Sequence, residues 1–570
     1  MKGTQLLIKA LISEGVEKLF GYPGGFVVDI FDELYQQNQV ELILPRHEQA
    51  MVHEADGYAR TTGRVGVCLG TSGPGATNMV TGIATANYDS VPLVCFTGQV
   101  PTPLIGNDAF QEADIIGITR SICKYGIVVR DRKDLGRIIK EAFHIAQTGK
   151  PGPVIVDLPK DIMLQEGDEF YPDTVNIRGY KPNTRVHMGQ VKKALELLEQ
   201  AKKPVLLAGG GLVIASAHTE FRQLVERLNI PVITTLMGKG ILPTNHTLYI
   251  GNLGMHGNIA SNKAINECDV LLSIGTRFND RITGRISEFA KDAKIIHIDI
   301  DAASISRNIV VDIPIVADAK LAVTKLLERA QPLSTKAWLK RITEFGGKSN
   351  LIQKEGGVTP YHILEQINQS FSEAIIAADV GQNQMWTMQY LELNENKRLI
   401  TSGGMGTMGY GFPAAIGAKL GNPDKTVLCI TGDGGFQMNL QEMATAMAQE
   451  LPIIVCILNN GYLGMVRQWQ ELFYDNRYSG TCMRYRKSCA KNCMDPKKEC
   501  PPYLPDFVAF AESYGAMGIR VTKESEIKTA LEQAAANRQR LTIIEFIIDS
   551  HELVLPMVQS GKSLSEMIIG

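Results

Sequence analysis

The 570-residue chain has no apolar run approaching the roughly 20 residues that a membrane-spanning helix needs. It has no excess of either charge. Its 58 lysines and arginines face 60 aspartates and glutamates, a net charge of −2. That balance offers no electrostatic footprint for nucleic acid or an anionic membrane. Ten cysteines are too few for a disulfide scaffold. Six are scattered (Cys68, Cys95, Cys123, Cys268, Cys429 and Cys456), several in apolar runs where a thiol acts as a small core group. The N-terminal residues lack the apolar stretch and cleavage site of a signal peptide, and Leu6, Leu7, Ala10 and Leu11 instead open an amphipathic helix. The expectation is a cytoplasmic globular protein with no membrane or nucleic-acid partner.

What is present is a recurring α/β pattern. Domains of roughly 100–200 residues predict three or four units for this length. Apolar runs bounded by glycine or proline read as buried strands: Val65–Leu69, Val91–Phe96 and Pro153–Asp157, then Pro204–Ala208, Val270–Ile274 and Ile295–Asp299. Polar stretches at 171–188 and 331–357 separate three units, 1–170, 189–330 and 358–550. Alternating helix and strand signals predict parallel, doubly wound sheets in each.

The sharpest chemical pattern lies in the third unit. A strand, Val427–Thr431, ends in Gly432-Asp433-Gly434-Gly435; a helix-like stretch, Leu440–Glu450, follows; a second strand, Ile453–Leu458, ends in Asn459-Asn460. Such a βαβ crossover places Asp433 and Asn460 on the same sheet edge, where α/β proteins bind ligands. A carboxylate and an amide oxygen suit Mg²⁺, which completes its octahedron with phosphate oxygens, water and a backbone carbonyl, here that of Tyr462. The glycines let backbone N–H groups approach a diphosphate. Either element alone is an ordinary turn or loop end; the spacing makes the pair informative. Gly404–Gly409 also fits G-x-G-x-x-G, a weak match when isolated.

Gly-Asp-Gly followed at this distance by Asn-Asn resembles the fingerprint of thiamine diphosphate enzymes. Gly21-Tyr22-Pro23-Gly24-Gly25, Arg46-His47-Glu48-Gln49 and Gly73-Pro74-Gly75-Ala76-Thr77-Asn78 are similar to further segments of that family. The resemblance implies a pyrimidine-binding first unit, a central flavin-type unit and a diphosphate-binding third unit. It implies that Glu48 sets a carboxylate against the cofactor's aminopyrimidine. Pro23, Gly24, Asn78, Val380, Gly381, Gln382, Asn383, Gly406, Met408 and Met465 would join Gly432, Gly434 and Gly435 around the cofactor, Met408 as a wedge between its rings. Asn383 stands where a histidine is usual, and both can donate to a phosphate oxygen. In this family the first and third units of different subunits share one active site.

Within the family the chain is identified as most similar to the acetohydroxyacid synthases. Thr276–Gly284 resembles their flavin-binding motif, with Asn279 in place of the usual aspartate. FAD would be structural, held by Gly209, Gly210, Gly211, Thr235, Leu236, Met237, Gly254, Met255, His256, Gly275, Arg277, Asp299 and Asp318. Arg281 would grip the carboxylate of a second 2-oxo acid. Phe110 and Gln111 match a substrate-channel segment and Lys160 a channel lysine. Trp469, one of three tryptophans, would shape the acceptor pocket. The implied reaction joins pyruvate to a second pyruvate or to 2-oxobutanoate, in a homodimer or tetramer with a regulatory small subunit. A pyruvate oxidase-type flavin oxidoreductase and another thiamine diphosphate-dependent acetyltransferase remain alternatives.

The resemblance stops at an insert, 482–500, which carries Cys482, Cys489, Cys493 and Cys500. Four cysteines in 19 residues could hold zinc or an iron–sulfur cluster, although no C-x₂-C pair is present. A redox-sensitive lid and a basic loop with free thiols are the other readings.

Overall fold

The computed structural model describes residues 1–346, 357–490, 493 and 500–569. The aliphatic runs become central strands of three six-stranded sheets. In the first, β1 (Lys18–Gly21), β2 (Glu41–Ile43), β3 (Gly66–Gly70), β4 (Leu93–Gln99), β5 (Tyr125–Val128) and β6 (Pro153–Pro159) lie in the order β2-β1-β3-β4-β6-β5. In the second, β7 (Pro204–Ala208), β8 (Val232–Thr234), β9 (Tyr249–Asn252), β10 (Val270–Ile274), β11 (Lys294–Asp299) and β12 (Ile313–Val316) lie in the order β12-β11-β10-β7-β8-β9. The third repeats the order of the first, β14-β13-β15-β16-β18-β17, from β13 (Ile375–Ala378), β14 (Arg398–Thr401), β15 (Val427–Gly432), β16 (Ile453–Asn459), β17 (Met517–Val521) and β18 (Thr542–Ile547). Neighbouring strands in all three are parallel.

Each sheet is buried on both faces, as parallel sheets require. Along β15, Leu428 and Ile430 enter one core while Val427 and Cys429 enter the other. That is why these strands read as unbroken apolar runs. The strand order reverses between β1 and β3, between β7 and β10, and between β13 and β15. Doubly wound sheets bind ligands at such switch points, beyond the strands' carboxyl ends.

The first and third units meet through two helices, Glu48–Thr62 and Gly411–Gly421. Their backbones touch: a side chain at Gly57 would begin on the Ala414 carbonyl, and one at Gly417 on the Glu54 carbonyl. Arg60 crosses the same boundary. It pairs with Asp56 (2.7 Å) and Asp89 (3.0 Å) and donates to the Thr401 carbonyl (3.0 Å).

Three local expectations are corrected. The polar stretch 331–357 contains a helix, Lys336–Glu344. It buries Trp338 against the second sheet, the indole N–H donating to the Pro204 carbonyl (3.1 Å), so one apolar stripe outweighs the polar composition. The Gly432–Gly435 turn is itself the start of a short helix, Asp433–Gln437. The helix expected over Leu440–Glu450 is a 3₁₀ turn, Leu440–Glu442, running into Met443–Ala448.

Candidate active site

Glu48 is the first residue of the helix Glu48–Thr62, just past β2, and its side chain is buried. The helix N-terminus favours a negative charge there. Asn78 donates to its Oε2 (2.9 Å). The loops after β1 and β3 close around it. A Cβ on Gly75 would sit 2.7 Å from Thr71 Cγ2 and 3.4 Å from Glu48 Oε1, and one on Gly24 would sit 2.5 Å from the Thr71 Cβ, so Thr71 leaves neither position room for a side chain. Pro23 is exposed beside them. Gln111 packs against Gly73, which has φ +56°, in a backbone pose (φ +58°) that few non-glycine residues adopt. Lys160 reaches the same edge, donating to the Gly25 carbonyl (2.9 Å) and pairing with Asp29 (3.4 Å). Phe110 is largely exposed (80%) and contacts no core.

In the third unit, Asp433 follows β15 and Asn460 follows β16, adjacent parallel strands, so both emerge at one edge. Asp433 is 2% exposed and its Oδ2 has no hydrogen-bond partner. Burial pushes its carboxyl up to about 7, against the pull of the Tyr503 hydroxyl, nearby backbone N–H groups and the Arg484 charge. Asn460 is braced at both ends. Its Nδ2 donates to Gln382 Oε1 (3.1 Å), and its Oδ1 accepts the Tyr462 N–H (3.0 Å). Met408 lies over this floor, its Cε 3.7 Å from where a Cβ on Gly434 would be. Gly406, at φ +69°, precedes it at the exposed end of the loop. Met465 is half-buried at the start of the helix Gly464–Phe473. Trp469 on that helix is partly buried, not core, and its indole N–H is buried without a partner.

Val380 and Gly381 cross the end of β13, Gly381 at φ +141°. Asn383 departs from its expected role. Its Nδ2 donates to the Asp379 carbonyl (2.7 Å) and to the Ile430 carbonyl (3.3 Å), so both amide hydrogens are taken by backbone. No donor is left for a phosphate in this conformation.

In the second unit, Gly209, Thr235 and Gly275 follow β7, β8 and β10, and Asp299 ends β11, all at one edge. A Cβ on Gly211 would sit 2.7 Å from the Gly275 backbone, and one on Gly210 would sit 2.9 Å from Met237, which leaves room only for glycine. Leu236 and Met237 form a 3₁₀ turn capped by Thr235. Met255 donates its N–H to the Arg281 carbonyl (2.8 Å), which sets Gly254 (φ +117°) against Arg281. Thr276 Oγ1, Asn279 Oδ1 and His256 Nδ1 are buried without partners. Burial lowers the His256 ring to about 4 and raises the Asp299 carboxyl to about 6. Arg277 touches Gly404 of the third unit, and the Arg281 side chain is about half exposed. Asp318 serves as the N-cap of the helix Ala319–Leu327, accepting the Leu321 N–H (2.9 Å).

The described residues of the insert form no ligand set. Among the described residues no three histidine, cysteine, aspartate or glutamate side chains gather as a metal site would require. Cys482 is bridged to Tyr462, the Cys489 sulfur accepts the Arg486 N–H (3.3 Å), and Cys493 is exposed. Residues 491–492 and 494–499 of the insert lie outside the described residues. Sequence reasoning missed Asp379, which accepts N–H groups from Val380 (2.8 Å), Gly409 (3.0 Å) and Gly411 (2.8 Å) and so fixes the Met408 loop. A lone aspartate at a strand end carries no motif. Tyr503 and Arg484 were passed over for the same reason.

Three family models match in order: the N-terminal TPP binding domain of thiamine pyrophosphate enzymes over 1–118, their central domain over 191–326 and their C-terminal TPP binding domain over 379–546. The chain is 43% identical to the acetolactate synthase isozyme 3 large subunit of Escherichia coli and 43% identical to the acetolactate synthase large subunit of Haemophilus influenzae. In each case all of this chain and 98% of the relative are covered. It is 46% identical to a probable acetolactate synthase large subunit of Methanocaldococcus jannaschii, over all of this chain and 95% of that one. With the same three units in the same order and full-length identity at this level, the chain belongs to the acetolactate synthase large-subunit family of thiamine pyrophosphate enzymes.

Proposed function

We propose that this chain is the catalytic subunit of an acetolactate synthase. It would release CO₂ from pyruvate and transfer the remaining two-carbon unit to a second pyruvate or to 2-oxobutanoate, the entry step to branched-chain amino acids. The observation that carries the reading is the buried Asp433, whose orphaned Oδ2 sits beside Asn460 at the edge of β15 and β16. A buried carboxylate with one oxygen left unpartnered fits a hard cation, and the glycines around it leave backbone room for a diphosphate. Asp433, the Asn460 amide oxygen and the Tyr462 carbonyl would hold Mg²⁺. Thiamine diphosphate, when bound, supplies the carbon nucleophile and electron sink that loss of CO₂ requires.

This chain's own residues would do the rest. Glu48 would hold a proton at the aminopyrimidine, with Asn78 fixing its carboxylate. Met408, braced through Asp379, would orient the rings. Lys160, Gln111 and Phe110 at the rim, Arg281 and Trp469 would bind and orient the two 2-oxo acids and exclude water. The second sheet's strand order suits a dinucleotide. The orphaned Thr276, Asn279 and His256 atoms at its glycine-lined edge fit FAD in a structural role. A regulatory small subunit and a homo-oligomer with shared sites belong to the same reading.

The test is product formation from pyruvate with thiamine diphosphate, Mg²⁺ and FAD, with and without 2-oxobutanoate. Acetolactate should form without an electron acceptor, and Glu48→Gln should cut the rate about 10²–10⁴-fold. Turnover only with an electron acceptor would replace the synthase by an oxidase.

A further inference from the structure

We propose that Arg484, carried by the cysteine-bearing insert, is a ligand of the cofactor's diphosphate; the inference rests on the thiamine diphosphate reading above. The insert is pinned onto the loop that follows β16. Leu463 donates its N–H to the Thr481 carbonyl (2.8 Å), Met483 donates to the Gly461 carbonyl (2.9 Å), and Tyr462 and Cys482 form an antiparallel bridge between them. This loop is the one that presents Asn460 and the Tyr462 carbonyl. The next residue along the insert is Arg484, and its guanidinium lies over Gly461. A Cβ there would sit 2.8 Å from Arg484 Nε and 3.3 Å from Cζ, so the approach depends on a glycine, which also carries φ +75°.

Two unsatisfied groups of opposite sense lie at the ends of the adjacent strands β15 and β16, Asp433 after the first and Arg484 over the loop after the second. Asp433 Oδ2 is a buried acceptor without a donor, and Arg484 Nε is a buried donor without an acceptor. The two atoms are not joined to each other. Each lacks what a metal–diphosphate brings, a cation for the carboxylate and a phosphate oxygen for the guanidinium N–H. A guanidinium is the side chain best shaped to grip phosphate oxygens. The assignment also answers the departure at Asn383, whose amide hydrogens are spent on backbone carbonyls. The insert would supply the donor that position 383 withholds. Tyr503, just past the insert, accepts from Gln437 of the helix that Asp433 begins (2.7 Å).

The test is binding, read apart from turnover. Thiamine diphosphate with Mg²⁺ is titrated calorimetrically into the full chain and into Arg484→Gln and Arg484→Lys, with FAD affinity measured on the same samples. Arg484→Gln should weaken thiamine diphosphate at least about tenfold, the loss expected for one charge-assisted hydrogen bond. Arg484→Lys should recover part of it, and FAD affinity should not change. Wild-type affinity in Arg484→Gln overturns the inference. So does a parallel loss of FAD affinity in both variants, which would mean general damage. A wild-type chain that fails to bind thiamine diphosphate overturns the underlying reading as well.

Discussion

Glu54 and Glu48 share one helix, yet their surroundings assign them opposite tasks. Glu48 opens toward the site and accepts from Asn78. Glu54 is fully buried, neither of its oxygens has a hydrogen-bond partner, and it faces the Glu442 carboxyl, which accepts the Arg46 N–H and the Thr445 hydroxyl. Burial, and then the Glu442 charge, hold the Glu54 carboxyl well above its ordinary 4.5. A carboxyl raised in the fold contributes stability that is complete below the unfolded value and is lost as pH rises through the folded one. Each pH unit from 4.5 up to the folded value therefore costs about 1.4 kcal/mol. Glu54→Gln should remove that slope. Denaturant melts at successive pH values above 4.5 should show the variant gaining on wild type as pH rises, by up to roughly that amount per unit until the folded value is passed. At this scale the sequence placed Asp433 and Glu48 at strand ends, and the structure has them after β15 and β2. The sequence was silent on Asp379, Tyr503 and Arg484, whose significance lies in what they face.

Between elements, the contact of the helices Glu48–Thr62 and Gly411–Gly421 is set by missing side chains. Gly417 lets the Glu54 carbonyl approach, and Gly57 does the same for Ala414. Gly417→Ala should destabilise by about 1–3 kcal/mol, the usual cost of overpacking a filled interface. The control Gly25→Ala, where nothing lies within 4 Å of the new methyl, should stay within about 0.5 kcal/mol. Thermal melts decide it, and equal shifts would mean the crossing relaxes freely. Strands such as β7 and β10 were legible to the residue, because doubly buried strands are continuous apolar runs bounded by turn residues. The helix Lys336–Glu344 was not, because its polar face dominates the composition and only its packing shows the stripe.

Across the whole molecule, Glu48 belongs to the first sheet and Asp433 to the third. If different subunits contribute them to each site, two dead variants can repair one another. Glu48→Gln and Asp433→Asn, each inactive alone, should regain about a quarter of wild-type activity when equal pools are co-expressed and pair at random. No recovery would mean that one chain completes its own site.

Local order was written in the sequence: three parallel α/β units and most of their central strands, because apolar periodicity and glycine-bounded loops act over a few residues. The identical strand order of the first and third sheets, the glycine-mediated helix crossing, the turning of Asn383 onto backbone carbonyls and the placing of Arg484 over Gly461 were decided by tertiary structure alone. Each depends on which distant backbone arrives beside a side chain, and a linear pattern does not encode that distance.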